Sequence, residues 1–344
     1  MTKEERGLSM RHVIGLDVGG TTMKGAVLDE TGRILARGSR ETRLHNNLPL
    51  LIERMADLIE ELQKSVHVTV EAVGVGFPGP FDGANGISIH SPNLSLRQVD
   101  VRTPLAAAVR LPLAFENDLR TATLGEAVFG AGKGVSHMTF IPIGTGIGMG
   151  NIIEGQLLHG AFGLSGELGH ITVPGNTAVC NCGKIGCVET VASAAGIVRL
   201  AKEGLQRAME EIPEEAQMLP LVQMAGGDLE RLTAQDVAVA VLKSDPIAAE
   251  TWKEVCEITG WAVSLIVNLF NPQMVVIGGG VSEAGDLLLD PVRRSVKRHV
   301  MKAGHENTRI VRAALGPDAG MLGAGVLALR ADIWSGESVA RLVE

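Results

Sequence analysis

The sequence contains no tyrosine, and phenylalanine and tryptophan together supply only 3% of it. Few flat faces remain on which bases could stack, which argues against a single-stranded nucleic-acid reader. A sugar site in such a chain would work mainly by hydrogen bonds. Positive charge is also scarce: 31 Lys and Arg stand against 39 Asp and Glu, a net charge of -8. No overall field draws in a polyanion, so no nucleic-acid partner is expected. Long hydrophobic runs are missing too. The most apolar stretch, residues 261–270, is too short for a membrane span and carries Ser264 and Asn268. The opening MTKEERGLSM lacks the apolar core of a signal peptide. Residues 1–11 are expected to be a disordered lead-in, and a cytoplasmic location with no membrane partner follows. No GxxxxGK[ST] occurs, which excludes a P-loop. A GxGxxG does occur at residues 74–79, but Pro78, Pro80, Asp82 and Gly83 make a loop where a dinucleotide fold needs a helix. Hydride transfer is therefore rejected.

What is present is enough apolar residue, 45% of 344, for two cores, together with 43 glycines that cluster. Three apolar runs, at 13–18, 138–143 and 274–277, each end in a glycine-rich turn and read as strands. The first two continue alike, as strand, Gly/Thr turn, strand, turn and short strand. This weak repeat of a three-stranded meander predicts two similar halves with a cleft between them. Helical periodicity is expected over 48–63, 119–129, 188–205, 246–270, 287–301 and 321–331, and strands over 70–76 and 113–115. Residues 206–232 are acidic, Met-rich and poorly periodic, and are read as a helical surface insertion. Gly320, Gly323 and Gly325 suggest a last helix pressed against another backbone. The domains expected are a small lobe over 12–118, with a C-terminal helix at 318–333 packing back on it, and a larger lobe over 119–317 with a metal loop at 170–187.

Chemistry concentrates at the turns. In Asp17-Val-Gly19-Gly20-Thr21-Thr22-Met-Lys24, the glycines let main-chain N–H groups and threonine hydroxyls face a phosphate. Asp17 at the strand end is suited to Mg²⁺, and Lys24 adds positive charge. Gly144-Thr145-Gly146 sits at the matching point of the second meander and is a second phosphate hairpin. Gly278-Gly279-Gly280 closes a third strand and offers bare backbone to a base or ribose. Asp118, at the start of a helix, reads either as a plain N-cap or as a carboxylate that the dipole keeps ionised, ready to take a hydroxyl proton. Asn117 beside it both donates and accepts, as a sugar diol requires. Three cysteines, Cys180, Cys182 and Cys187, lie within eight residues, with His170 a little upstream. Without an export signal this is a metal pattern, and Cys₃His is a structural zinc set that leaves no open coordination position.

Taken together, CxCGxxGCxE at 180–189, ExGH at 167–170, DxGGTxxK at 17–24 and END at 116–118 resemble the ROK family of bacterial sugar kinases and repressors, and the stretch VNLFNPQMVVIGGGVSEAGDLLLDPV resembles its glucokinases in particular. The resemblance spans residues 13–331. It implies an α/β, actin-like ATPase (ribonuclease H-like) fold of two lobes. It implies that Asp118 accepts the proton of the attacking hydroxyl, and that Gly79, Asn93, Asn117, Glu167, His170 and Glu189 line the sugar site. The reaction expected is γ-phosphoryl transfer from Mg·ATP to the 6-hydroxyl of glucose, with ATP, Mg²⁺ and structural Zn²⁺ as cofactors. A homodimer or homotetramer is expected from the resemblance alone. An N-acetylglucosamine or N-acetylmannosamine kinase would share every motif named. A sugar-sensing repressor is the alternative of another class. Such relatives carry a helix-turn-helix module ahead of the kinase-like part, and here Asp17 lies too near the start for one.

Overall fold

The apolar runs form strands where the pattern places them. The computed structural model describes residues 10–42 and 47–330. The expected lead-in at 1–11 lies almost wholly outside the described residues, as do residues 331–333 of the last helix. The described residues form two compact units, one from within 10–136, 150–165 and 314–330, the other of 137–149 and 166–313. The division drawn from sequence placed 119–317 in the larger lobe; here residues 119–136, 150–165 and 314–317 group with the first unit. Elements are numbered along the chain.

In the first unit β1 (His12–Val18), β2 (Thr22–Asp29) and β3 (Ile34–Glu41) make the antiparallel meander. Parallel strands β4 (Ala72–Phe77) and β8 (Leu113–Asn117) extend it in the order β3-β2-β1-β4-β8. Side chains alternate across a strand. Ile14, Leu16 and Val18 therefore pack in the core with α1 (Leu48–Lys64) and α2 (Arg102–Val109), while Val13 and Gly15 face α12 (Ala319–Leu329). The next residue in that second register is Asp17. The close backbone contact expected of the last helix is present. A Cβ on Gly323 would lie 1.6 Å from the carbonyl of Thr121 in α3 (Asp118–Val128), and one on Gly74 of β4 would lie 1.7 Å from that of Ala324. A small sheet of β5 (Phe81–Asp82), β6 (Ile87–Ser91) and β7 (Leu96–Asp100), and a hairpin of β10 (Gly150–Ile153) and β11 (Gln156–Leu157), complete the unit.

In the second unit β12 (Met274–Gly278) lies between β9 (Met138–Pro142) and β13 (Arg309–Arg312), all parallel. The main core buries α5 (Ala194–Glu211), α8 (Ala234–Leu242), α9 (Pro246–Phe270) and α10 (Asp286–His299) against this sheet. The bounds of α9 follow from its ends. Asp245 caps it by accepting the N–H of Ala248 at 2.9 Å, and Asn271 leaves it in the left-handed region (φ 45°) before Pro272. The helix expected over 188–205 is two helices, α4 (Glu189–Ala192) and α5. Ser193 turns extended between them, and its hydroxyl caps α5 at the N–H of Gly196. Residues 206–232 are partly helical and mostly exposed, as expected, yet they also contribute to the core. They hold the end of α5, α6 (Pro213–Gln217) and α7 (Pro220–Met224), and they bury Ala216, Leu221, Val222, Ala225 and Leu232. Their poor periodicity reflects short helices that bury only a few apolar residues and leave others, Ile212 and Met218, exposed. A short α11 (Lys302–Asn307) precedes β13. Among the described residues no helix is long and apolar enough to cross a membrane.

Candidate active site

The expected site residues fall in both units. In the first, the β8–α3 junction carries the densest polar structure. Asn117, not Asp118, is the N-cap of α3: its Oδ1 accepts the N–H of Arg120 at 3.2 Å. Its Nδ2 donates to the carbonyl of Gly79 at 2.9 Å and to Oδ1 of Asp118 at 2.8 Å. The N–H of Leu119 donates to the same Oδ1 at 2.8 Å. One oxygen of Asp118 is thus locked by two donors, and Oδ2 has no protein partner among the described residues. The dipole does not dominate this carboxyl as the sequence suggested. Burial, and then the charge of nearby Asp17, push the pKa of Asp118 up to about 7. Two backbone and side-chain donors oppose this without cancelling it, because desolvation of a carboxylate outweighs a single helix end. Asp17 is raised to about 6 by burial, with Lys24 across the β1–β2 pair acting in the opposite direction.

The Gly19–Thr22 turn is closed by the N–H of Gly19 donating to the carbonyl of Thr22 at 3.1 Å, and Thr21, Thr22 and Lys24 are exposed. A Cβ on Gly20 would lie 2.6 Å from Cβ of Asn93, so the glycine admits Asn93 against the turn. Gly79 has φ +81° and would drive a Cβ into the carbonyl of His90 at 2.3 Å. Asp17, Gly19, Gly20, Asn93 and the Gly79–Asn117–Asp118 group are therefore all drawn to one sheet's strand ends and its adjoining loops.

In the second unit three separately read motifs converge. The Gly144–Gly146 turn is closed by the N–H of Gly144 donating to the carbonyl of Gly146 at 3.0 Å. Gly279 has φ +76°, and a Cβ there would lie 2.4 Å from the carbonyl of Ile143, so the Gly278–Gly280 turn passes directly under the first hairpin. Glu189 reaches the hairpin from α4, where its Oε2 accepts the N–H of Ile147 at 3.0 Å. Its Oε1 lies 3.8 Å from Sγ of Cys180. His170, Cys180, Cys182 and Cys187 offer ligand atoms that all lie within 4.8 Å of one another, a group able to hold a metal ion. Nδ1 of His170 faces Sγ of Cys180 at 3.7 Å, while its Nε2 faces Glu167 at 3.8 Å. One imidazole therefore links the cluster to Glu167.

Sequence reasoning missed the groups that hold the β8–α3 junction. Glu116 and Arg120 are 1% and 4% exposed and paired at 2.7 Å, and His159 completes the group at 2.7 Å. Glu116 closes β8 and Arg120 lies in the first turn of α3, so no shared helix face marked the pair in advance. His159 had no local sign. Glu126, fully buried, was also missed: it accepts the N–H groups of Ala131, Ala314 and Leu315 at 2.9, 3.1 and 2.8 Å.

A strand, a glycine turn and an acidic strand end, set in two α/β units, define the actin-like ATPase class of fold. Residues 13–331 match the model of the ROK family, and the chain belongs to that family. It is 37% identical to a glucokinase of Halalkalibacterium halodurans over 93% of this chain and 96% of that one. A glucokinase of Thermotoga maritima is 36% identical over 91% and 95%. Among solved structures it resembles a ROK family glucokinase from Streptomyces griseus in complex with glucose and AMPPNP. The TM-score is 0.77 at 32% identity, covering 93% of this chain and 99% of that one.

Proposed function

We propose that the chain is an ATP-dependent hexose kinase that transfers the γ-phosphoryl group of Mg·ATP to the 6-hydroxyl of glucose. The observation that carries this reading is the state of Asp118: Oδ1 is fixed by Asn117 and Leu119, and Oδ2 is left for a substrate hydroxyl. Phosphoryl transfer passes through a loose transition state, so most of the acceleration comes from positioning and charge neutralisation. Oδ2 takes the proton late, as the oxygen attacks phosphorus. A carboxyl titrating near neutrality suits a base that must accept and then release a proton. In this reading Gly79, Asn93, Asn117, Glu167, His170 and Glu189 orient the sugar. The turns at Gly19–Thr22 and Gly144–Gly146 bind phosphates through N–H groups, with Lys24 adding charge, and Gly278–Gly280 lies along the nucleoside.

Asp17 fits Mg²⁺. It is a hard oxygen donor with a second carboxylate nearby, and burial makes both reluctant to ionise without a cation. Bound there with ATP, the ion would neutralise charge on the phosphates.

The cysteine cluster fits zinc. Tetrahedral zinc with sulfur at about 2.3 Å places two sulfurs about 3.8 Å apart. Sγ of Cys182 and Sγ of Cys187 lie 3.7 Å apart. With four protein ligands the metal shapes the loop that presents Glu167, His170 and Glu189 and performs no step itself. A homodimer or homotetramer accompanies this reading, and light scattering measures it.

The test is ADP release from Mg·ATP with glucose, mannose, fructose, N-acetylglucosamine and N-acetylmannosamine in turn. The expected result is the highest kcat/KM for glucose. A higher value for an N-acetylated sugar would replace the substrate. No ADP release with any hexose would overturn the reading.

A further inference from the structure

The β8–α3 junction is held by charges that the expected sugar contacts do not use. Glu116 is buried, and its oxygens are fully engaged. Oε1 accepts Nε of Arg120 at 2.7 Å and the N–H of Asn117 at 2.7 Å, and Oε2 meets Nε2 of His159 at 2.7 Å. Arg120 also donates from Nη1 to the carbonyl of Gly163 at 3.0 Å, and its own N–H goes to Oδ1 of Asn117. Asn117 in turn fixes Oδ1 of Asp118. An unbroken series of hydrogen bonds thus runs from the carbonyl of Gly163 and the ring of His159, through the ion pair, to Asp118.

The far end of this series is a segment that apolar packing does not hold. Phe162 is 83% exposed and Leu164 51% exposed on residues 159–165. The turn there uses Gly160 and Gly163 at φ +73° and +68°. A cavity of about 380 Å³ borders it, lined in part by Phe81, Asp82, Glu116, Arg120 and His159. The ties from this segment to the β8–α3 junction are the bonds from Arg120 and His159. Two residues after it stands Glu167. Burying a carboxylate and a guanidinium together is a poor source of stability compared with apolar side chains of the same size. Their benefit here is directional, because the pair fixes the peptide N–H that precedes the Asp118 carboxylate.

Resting on the kinase reading above, we propose that Glu116, Arg120 and His159 are positioning residues for Asp118. The network sets the orientation of Oδ2 for the sugar hydroxyl and ties residues 159–165 to the same junction. None of the three touches the reacting atoms. They act through Asn117, and loss of the network misplaces the base without emptying the sugar site. Misplacement of a reacting group by a fraction of an ångström to one ångström is worth on the order of 10- to 100-fold in rate.

The test uses His159→Ala, His159→Gln and the double variant Glu116→Leu/Arg120→Met in the full chain. The double variant removes both buried charges together, so that neither is left unpaired. Calorimetry with glucose gives affinity and stoichiometry, and steady-state ADP release gives kcat and KM. For His159→Ala and the double variant the expected result is kcat lowered roughly 10- to 100-fold. Glucose should still bind at about one per chain, with KM within about threefold. His159→Gln, which can still donate to Glu116, should recover to within about threefold of wild type. If His159→Ala keeps wild-type kcat, or if its lost turnover matches lost binding stoichiometry, the positioning role is overturned. Failure of the double variant to fold leaves the two His159 variants to decide. A wild-type protein that releases no ADP with any hexose would instead sink the kinase reading, so the two failures are distinguishable.

Discussion

Replacing Asp118 by asparagine separates chemistry from shape. The new amide keeps an acceptor at the Oδ1 position, so the donors from Asn117 and Leu119, both at 2.8 Å, retain their partner. What is lost is the proton acceptor at Oδ2, and general-base catalysis contributes roughly 10²- to 10⁴-fold. Asp118→Asn is therefore expected to lose kcat by that factor while glucose KM changes only a few-fold. The same substitution should stabilise the fold. The Asp118 pKa rises from 3.8 to about 7 on folding. Below pH about 4 the carboxyl is neutral in folded and unfolded chains alike, and burial carries no electrostatic penalty. Between about 4 and 7 the folded chain holds a proton that the unfolded chain has released, so stability falls as pH rises. Above 7 the penalty is complete. At about 1.4 kcal/mol per pH unit the ceiling is roughly 4 kcal/mol. Coupling to Asp17 and residual solvent access reduce it to about 1–3 kcal/mol. Urea unfolding of metal-loaded, ATP-free protein at pH 5 and pH 8 checks this. The asparagine variant should gain roughly a third as much at pH 5 as at pH 8. An equal gain at both, or a near-normal kcat, would refute the reasoning.

In the wild type, kcat/KM for glucose should fall with pH below about 7, roughly tenfold per unit, as the base is protonated; a profile flat from pH 5 to 8 would contradict the assignment. Purified protein should contain about one zinc per chain, and Cys182→Ala should lose it and weaken glucose binding roughly tenfold or more, measured by elemental analysis and calorimetry. Gly323→Ala should cost roughly 3 kcal/mol or more in urea unfolding, because the added carbon meets the Thr121 carbonyl and two helix backbones must part. Glu189→Ala should raise KM for both ATP and glucose, since the Gly144–Gly146 hairpin loses the acceptor at Ile147; unchanged values would detach Glu189 from that hairpin.

Elements with strong local signals were legible. The β1–β2 turn, the span of α9 and the cysteine cluster all read directly, because each is set by residues close together in sequence. Long-range packing was less so. Only the backbone contact of α12 was foreseen, through glycine spacing that has no other evident use in an apolar helix. The convergence of Glu189, Gly144–Gly146 and Gly278–Gly280 was named as motifs and not as one group, since their contacts join residues far apart in sequence. Ser193 broke a helix that periodicity joined, because a capping hydroxyl gives no hydrophobic signal. The core contribution of residues 206–232 was not legible, because short helices bury a few apolar residues with no repeating period. The ionisation of Asp118 was misjudged for a different reason. The helix start was visible in sequence, but the burial and the neighbouring Asp17 that oppose it arise only when β1 and β8 end at the same edge of one sheet, with β4 between them.

The central claim is that this chain moves a phosphoryl group onto the 6-oxygen of glucose, with Oδ2 of Asp118 taking the proton. Phosphorus NMR of Mg·ATP and glucose with the purified protein tests it most directly. Growth of a glucose 6-phosphate resonance at the rate ATP is lost, and its absence with Asp118→Asn, is the predicted result. ATP consumed with only inorganic phosphate formed, or the ester formed equally well by both proteins, would contradict the account.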